Sequence, residues 1–171
     1  MAIKASLLSL LPLLLATMAS ASIQEVCTKA AAGGNVNRDT CIKILGSAPG
    51  ASTADDRGLA VIAGNLGAAH ARATLPTINN LLRSAGSATK GPLQDCQELY
   101  GDAVDNLKSA ADSAGRDRFD DANIHFSAGI DAATTCEDGF SERNVASPLA
   151  AADSKLLLLS IVGAAITHTG P

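Results

Sequence analysis

Between Pro92 and Ala114 apolar side chains recur every three or four residues: Leu93, Cys96, Tyr100, Ala103, Leu107, Ala110 and Ala114. That spacing places them on one side of a single helix, and a helix with an unbroken apolar side must bury it against other helices. The opposite side carries Glu98, Asp102 and Asp105, three carboxylates in line with few cations to pair them. Such a row repels itself. It is either a solvated face or a contact surface, and that choice frames the question of function.

Met1–Ala21 reads as a secretory leader: Lys4 supplies the positive start, Leu7 to Leu15 the apolar run, and Ala19-Ser20-Ala21 the small-residue cleavage pattern. Pro12 interrupts the run and polar sequence follows at once, which favours a cleaved leader over a retained anchor. Residues 22–171 then form one domain large enough for its own core. All four cysteines lie in that domain, and an even set in an oxidising compartment reads as two disulfides. Three pairings are open. Loop size favours Cys27 with Cys41 and Cys96 with Cys136, because a shorter loop closes at lower entropic cost. A metal site is the alternative, but there is no C-x-x-C spacing and no nearby histidine, so none is expected.

The net charge of -4 comes without a basic run or aromatic platform, which argues against a nucleic-acid partner. With no Trp, one Tyr and three Phe, the chain also lacks the rings on which sugars stack, so direct polysaccharide binding is disfavoured. No G-x-S-x-G, no H-E-x-x-H and no phosphate-cradling loop is present, so no catalytic residue and no cofactor is expected. His70, His125 and His168 match no ligand spacing and are expected to be exposed. With nearby carboxylates they would make a complex sensitive to pH.

Along the chain, two short helical pieces at 23–31 and 39–45 flank Gly33-Gly34-Asn35 and form a hairpin. Thr53 reads as the cap of a long helix with Asp55 and Asp56 in its first turn. Its expected seam is Leu59, Ile62, Leu66, Ala69, Ala73, Ile78, Leu81 and Leu82, with Pro76 kinking the helix near residues 72–75. Residues 84–91 read as a flexible connection, and Pro92 as a first-turn proline. A third helix from Phe119 to Asp138 carries Gly129 for close approach and is ended by Gly139. Ser147-Pro148 opens a last helix lined by Leu149, Ala152, Leu156, Leu159, Val162 and Ile166. Its LLLLSIV run is too short to span a bilayer beside Asp153 and Lys155, so burial is expected. The fold class is all-α: an antiparallel four-helix bundle with an N-terminal helical hairpin.

Leu93–Ala110 (LQDCQELYGDAVDNLKSA), Ser127-Ala128, Thr135–Phe140 (TCEDGF) and the early Cys27 and Cys41 together resemble the plant invertase and pectin methylesterase inhibitor family. Val145–Leu149, ahead of the last helix, is similar to sequence in pollen members of that family. The resemblance covers essentially all of residues 22–171. It implies the bundle and the two disulfides argued above, and a secreted protein that blocks the substrate cleft of a cell-wall enzyme, either pectin methylesterase or acid invertase. It implies target contacts at Glu98, Asp102, Asp105, Thr135 and Asp138. Invertase inhibitors of the family carry Pro-Lys-Phe where this chain has Asp117-Arg118-Phe119, which makes Arg118 and Phe119 candidate invertase-type contacts. Where methylesterase inhibitors resemble Trp-x-Ser-Ala, this chain has His125-Phe126-Ser127-Ala128. The acidic row and the lost proline favour pectin methylesterase. The expected location is the apoplast and cell wall, with the vacuole as alternative. A secreted structural bundle without a target is the remaining reading.

Overall fold

A computed structural model describes residues 23–32, 34 and 36–169, so the expected leader at 1–21 lies outside the described residues. Helix α1 (residues 23–32) and helix α2 (Arg38–Gly46) form the N-terminal hairpin. Asn37 starts α2 by accepting the Thr40 N–H on its side chain at 3.0 Å. Cys27 and Cys41 are bonded across the hairpin, and Ile23, Val26, Ala30, Val36 and Leu45 turn inward with them. Two helices this short are marginal alone. The staple and the contacts of α2 with the bundle hold them.

Four long helices follow: α3 (Asp56–Arg83), α4 (Ser87–Gly115), α5 (Phe119–Ser141) and α6 (Ala150–Thr169). Each packs on the next and α6 returns to α3, which closes the ring of an antiparallel four-helix bundle. Cys96 and Cys136 join α4 to α5. In the chain-entropy picture the two bridges, spanning 14 and 40 residues, contribute about 3 and about 4 kcal/mol by restricting the unfolded chain.

Several local expectations are corrected. The α3 cap is Asp55, which accepts the Gly58 N–H at 2.8 Å, while Thr53 closes the short 3-10 turn Ala51–Thr53. Pro76 lies inside the helix, as expected. Its buried stripe is Leu59, Ala60, Ala63, Gly64, Gly67, Ala68, Ala71, Thr74 and Ile78, whereas Ile62 and Leu66 are half-buried and Ala69 and Ala73 exposed. Small residues occupy the centre because α4 comes close: a Cβ on Gly64 would stand 2.8 Å from the Leu107 carbonyl oxygen. Helix α4 begins at Ser87 after Gly86, so the connection is shorter than expected and Pro92 lies buried inside the helix.

Helix α5 continues past Gly139 to Ser141, and Phe140 is buried. Gly129 does serve close approach, since a Cβ there would meet Ser160 Oγ at 2.6 Å and Leu107 Cδ2 at 2.9 Å. Leu149, rather than Pro148, accepts the first α6 bonds, from the Ala152 and Asp153 N–H groups. Ser147 Oγ in turn accepts from the Leu149 N–H. Leu149, Leu156, Leu159, Val162 and Ile166 are buried as expected, with Ala152 half-covered. The helix is longer than its LLLLSIV run: Ala150–His168 is long and apolar enough to cross a membrane, and half of it is buried in the bundle.

Candidate functional site

Two ties hold α4 and α5 side by side. One is the Cys96–Cys136 bond; the other is a hydrogen bond in which His125 Nδ1 donates to Asn106 Oδ1 at 3.0 Å. These fix an antiparallel register, so outward residues of the two helices form one surface. Glu98, Asp102 and Asp105 on α4 and Thr135 and Asp138 on α5 are all exposed. The register sets Glu98 at the level of Thr135 and Asp105 near the middle, while Asp138 borders the α6 side of α5.

The electrostatics of this face differ from those of the rest of the molecule. Among the described residues, Glu25, Asp39, Asp55, Asp112, Asp117 and Asp121 each stand within 4.0 Å of a cation. No such ion pair involves Asp95, Glu98, Asp102 or Asp105 on α4, or Asp120, Asp131, Asp138 or Glu142 on α5. Cations stand beside the carboxylates of the hairpin, of the α3 cap and of the α4–α5 turn, and leave those along the rest of α4 and α5 bare. Uncompensated charge gathered on one face creates a field that draws a cationic partner.

Arg118 and Phe119 do not join this set. They open α5 at the other end, about 24 Å from Thr135 at 1.5 Å rise per residue. Asp117 has φ 58°, a left-handed conformation closed to proline, whose ring holds φ near -65°. Its carboxylate accepts from Arg57 at 3.2 Å. Arg118 donates to Ser113 Oγ at 3.3 Å and pairs with Asp121, and Phe119 is half-buried. Proline could not take the backbone conformation of Asp117, and the Asp117 and Arg118 side chains are held by Arg57, Ser113 and Asp121.

Behind the face lies a buried carboxyl that the periodicity could have revealed. Asp153 falls on the α6 seam, four residues after Leu149 and three before Leu156, and is only 4% exposed. Tyr100 Oη donates to its Oδ1 at 2.7 Å, and Cys136 Sγ lies 3.6 Å from its Oδ2. Burial pushes the Asp153 carboxyl from 3.8 up to about 7; the Tyr100 bond works against this, and Glu137 adds to it. Glu137 Oε2 is itself buried without a donor. Burial, followed by the bond and charge of Asp153, raises the Tyr100 hydroxyl, which stays a donor. Glu137, Asp138 and Asp153 line a cleft of about 260 Å³ between α5 and α6.

The histidines are less exposed than expected. His70 is half-buried and donates from Nε2 to the Ala152 carbonyl at 2.9 Å, His125 is bonded to Asn106, and only His168 is exposed. Burial lowers the His70 pKa, the Ala152 bond opposes this, and Lys155 adds to the lowering. Among the described residues no group of three metal-ligating side chains comes together.

A stapled hairpin on a cross-linked bundle with a bare acidic face is the form of a protein that acts by surface contact. The profile of the plant invertase/pectin methylesterase inhibitor family matches residues 21–166, and the chain belongs to that family. It is 38% identical over 163 residues to a Platanus acerifolia protein provisionally named an invertase inhibitor, covering 93% of this chain and 90% of that one. It is 33% identical over 136 residues to a pectinesterase inhibitor of Actinidia deliciosa, covering 78% and 71%. A crystal structure of a mutant pectin methylesterase inhibitor from Arabidopsis superposes with a TM-score of 0.74 at 22% identity, over 88% of this chain and 97% of that one. That likeness speaks for the fold. The family and these relatives bear inhibitor names, which sets the chain among inhibitors of enzymes and not among the enzymes.

Proposed function

We propose that this chain is a secreted inhibitor that binds a plant pectin methylesterase reversibly and occludes its substrate cleft with the α4/α5 face. One observation carries the reading: the exposed carboxylates Glu98, Asp102 and Asp105 along α4 and Asp138 on α5 have no ion pair within 4.0 Å, while those of the hairpin, the α3 cap and the α4–α5 turn do. Glu98, Asp102, Asp105 and Asp138 then meet basic side chains around the cleft of the enzyme, and Thr135 supplies a neutral hydrogen bond. The working domain is 22–171 after removal of residues 1–21, and the site of action is the apoplast and cell wall, with the vacuole as alternative.

A second target is acid invertase, favoured by the name of the Platanus acerifolia relative. Against it stands the Asp117-Arg118-Phe119 turn, whose left-handed aspartate and tied arginine leave no free Pro-Lys-Phe-like element. The deciding experiment titrates the mature protein against one plant pectin methylesterase and one acid invertase, then repeats both with Asp102→Ala plus Asp105→Ala. The first reading expects saturable inhibition of the esterase that the double variant loses while melting unchanged. Inhibition of invertase alone overturns it in favour of the second. Inhibition of neither enzyme returns the chain to a structural bundle.

A further inference from the structure

Ile124 stands 67% exposed on α5, the exposed large hydrophobic among the described residues. A lone apolar side chain on a surface means little by itself. Its surroundings give this one meaning. On α5 it forms a helical row with Ala128, Asp131 and Thr135, at steps of four, three and four, so it lies on the same outward stripe as a proposed contact residue. Its neighbour His125 bonds to Asn106, which sets Ile124 at the level of the middle of α4, close to that of the exposed Asp105. Asp120 and Asp131, both exposed and without an ion pair, stand one turn before it and two turns after it.

We propose that Ile124 is the apolar anchor of the target contact, inserting into a hydrophobic depression on the enzyme rimmed by basic side chains. This rests on the reading of the α4/α5 face as the inhibitory surface. The anatomy is an apolar centre in a charged surround: the centre loses its water on docking and supplies holding energy, while the surrounding charges steer approach. The acidic border selects a cationic rim on the partner. It also disfavours a second copy of this chain, whose own acidic border would face it.

The two contributions separate kinetically. The mature protein, Ile124→Ala, and Asp102→Ala plus Asp105→Ala are each measured for association and dissociation with the enzyme that the wild type inhibits, across a salt series. Ile124→Ala is expected to weaken binding about tenfold or more, mainly through faster dissociation, with the wild-type salt dependence kept. The double aspartate variant should instead associate more slowly and show a flatter salt dependence. Unchanged melting of Ile124→Ala excludes a folding effect. Wild-type inhibition undiminished in Ile124→Ala overturns this inference and leaves the reading of the face intact. Loss of activity only because a wild-type dimer becomes monomeric overturns it in favour of self-contact. A wild type that inhibits neither enzyme removes both.

Discussion

Tyr100 reaches from α4 into the first turn of α6 and donates to the Asp153 carboxylate at 2.7 Å. The residue before Asp153 is held as well, since the Ala152 carbonyl accepts from His70 on α3 at 2.9 Å. Two adjacent residues of α6 are thus gripped from two different helices. Both grips contain a titratable group, and their pH responses run in opposite directions.

Asp153 holds its proton more tightly folded than unfolded, so its contribution is full below about pH 4 and declines as pH rises toward 7. Asp153→Asn cannot titrate and keeps both an acceptor for Tyr100 and a donor for Glu137. Wild type and variant should melt alike near pH 4, and the variant should be the more stable near pH 7.5. The gain is at most about 4 kcal/mol if the whole shift is expressed. A difference between the two that does not change with pH would refute the assignment.

His70 behaves in the opposite sense. Its pKa is depressed in the fold, so stability is lost as pH falls below its ordinary 6.5. His70→Gln keeps an N–H for the Ala152 carbonyl and carries no charge, so the penalty that grows from pH 7.5 to 5 should vanish in it. Thermal melts at several pH values check this. Ordering of the variants that reverses with pH is the signature of the opposed pair.

Close approach of α3 and α4 makes Gly64 and Gly101 a matched test. A methyl at Gly64 meets the Leu107 carbonyl oxygen at 2.8 Å and the Ala111 side chain at 3.0 Å, and backbone cannot step aside as a flexible side chain would. Gly64→Ala should cost about 1–3 kcal/mol, read as a lower melting temperature. Nothing stands within 4 Å of a Cβ on Gly101, so Gly101→Ala should be neutral or stabilise by up to about 1 kcal/mol through helix propensity. Equal effects at the two sites would contradict the packing described.

If the bare carboxylates steer the partner, raising ionic strength should slow association with the target far more than it speeds dissociation. Glu98→Gln plus Asp138→Asn should reduce that dependence without altering thermal stability, because neither carboxylate has an ion pair to lose. Stopped-flow or surface-binding kinetics over a salt series provide the check. A salt-independent association rate would remove the acidic face from the recognition step.

Much of this molecule is legible in its sequence, and what is not has local physical reasons. The α4 seam was readable because its large and small apolar residues share one strict spacing, and all of Leu93, Cys96, Tyr100, Ala103, Leu107, Ala110 and Ala114 are buried. The α3 seam misleads because its largest residues, Ile62 and Leu66, lie at the edge of the contact; alanine and glycine take the centre, where helices meet too closely for longer side chains. Gly139 and Pro92 look like punctuation, yet tertiary packing carries each helix across them. Asp55 takes the cap expected of Thr53 because both offer a suitable oxygen, and only the chain path chooses between them. The acidic row was visible as spacing on α4. That it is bare while other carboxylates are paired depends on Arg57, Arg116 and Arg118, whose partners only the fold reveals.

Helix α6 closes the ring by packing on both α5 and α3. A chain cut anywhere between Ser141 and Leu149 would keep α3, α4 and α5 but present an open trough where Leu156, Leu159 and Val162 belong, with Tyr100, Phe126 and Gly129 facing water. Premature stop codons in that interval would therefore yield a sticky half-shell prone to clumping instead of a trimmed but working inhibitor.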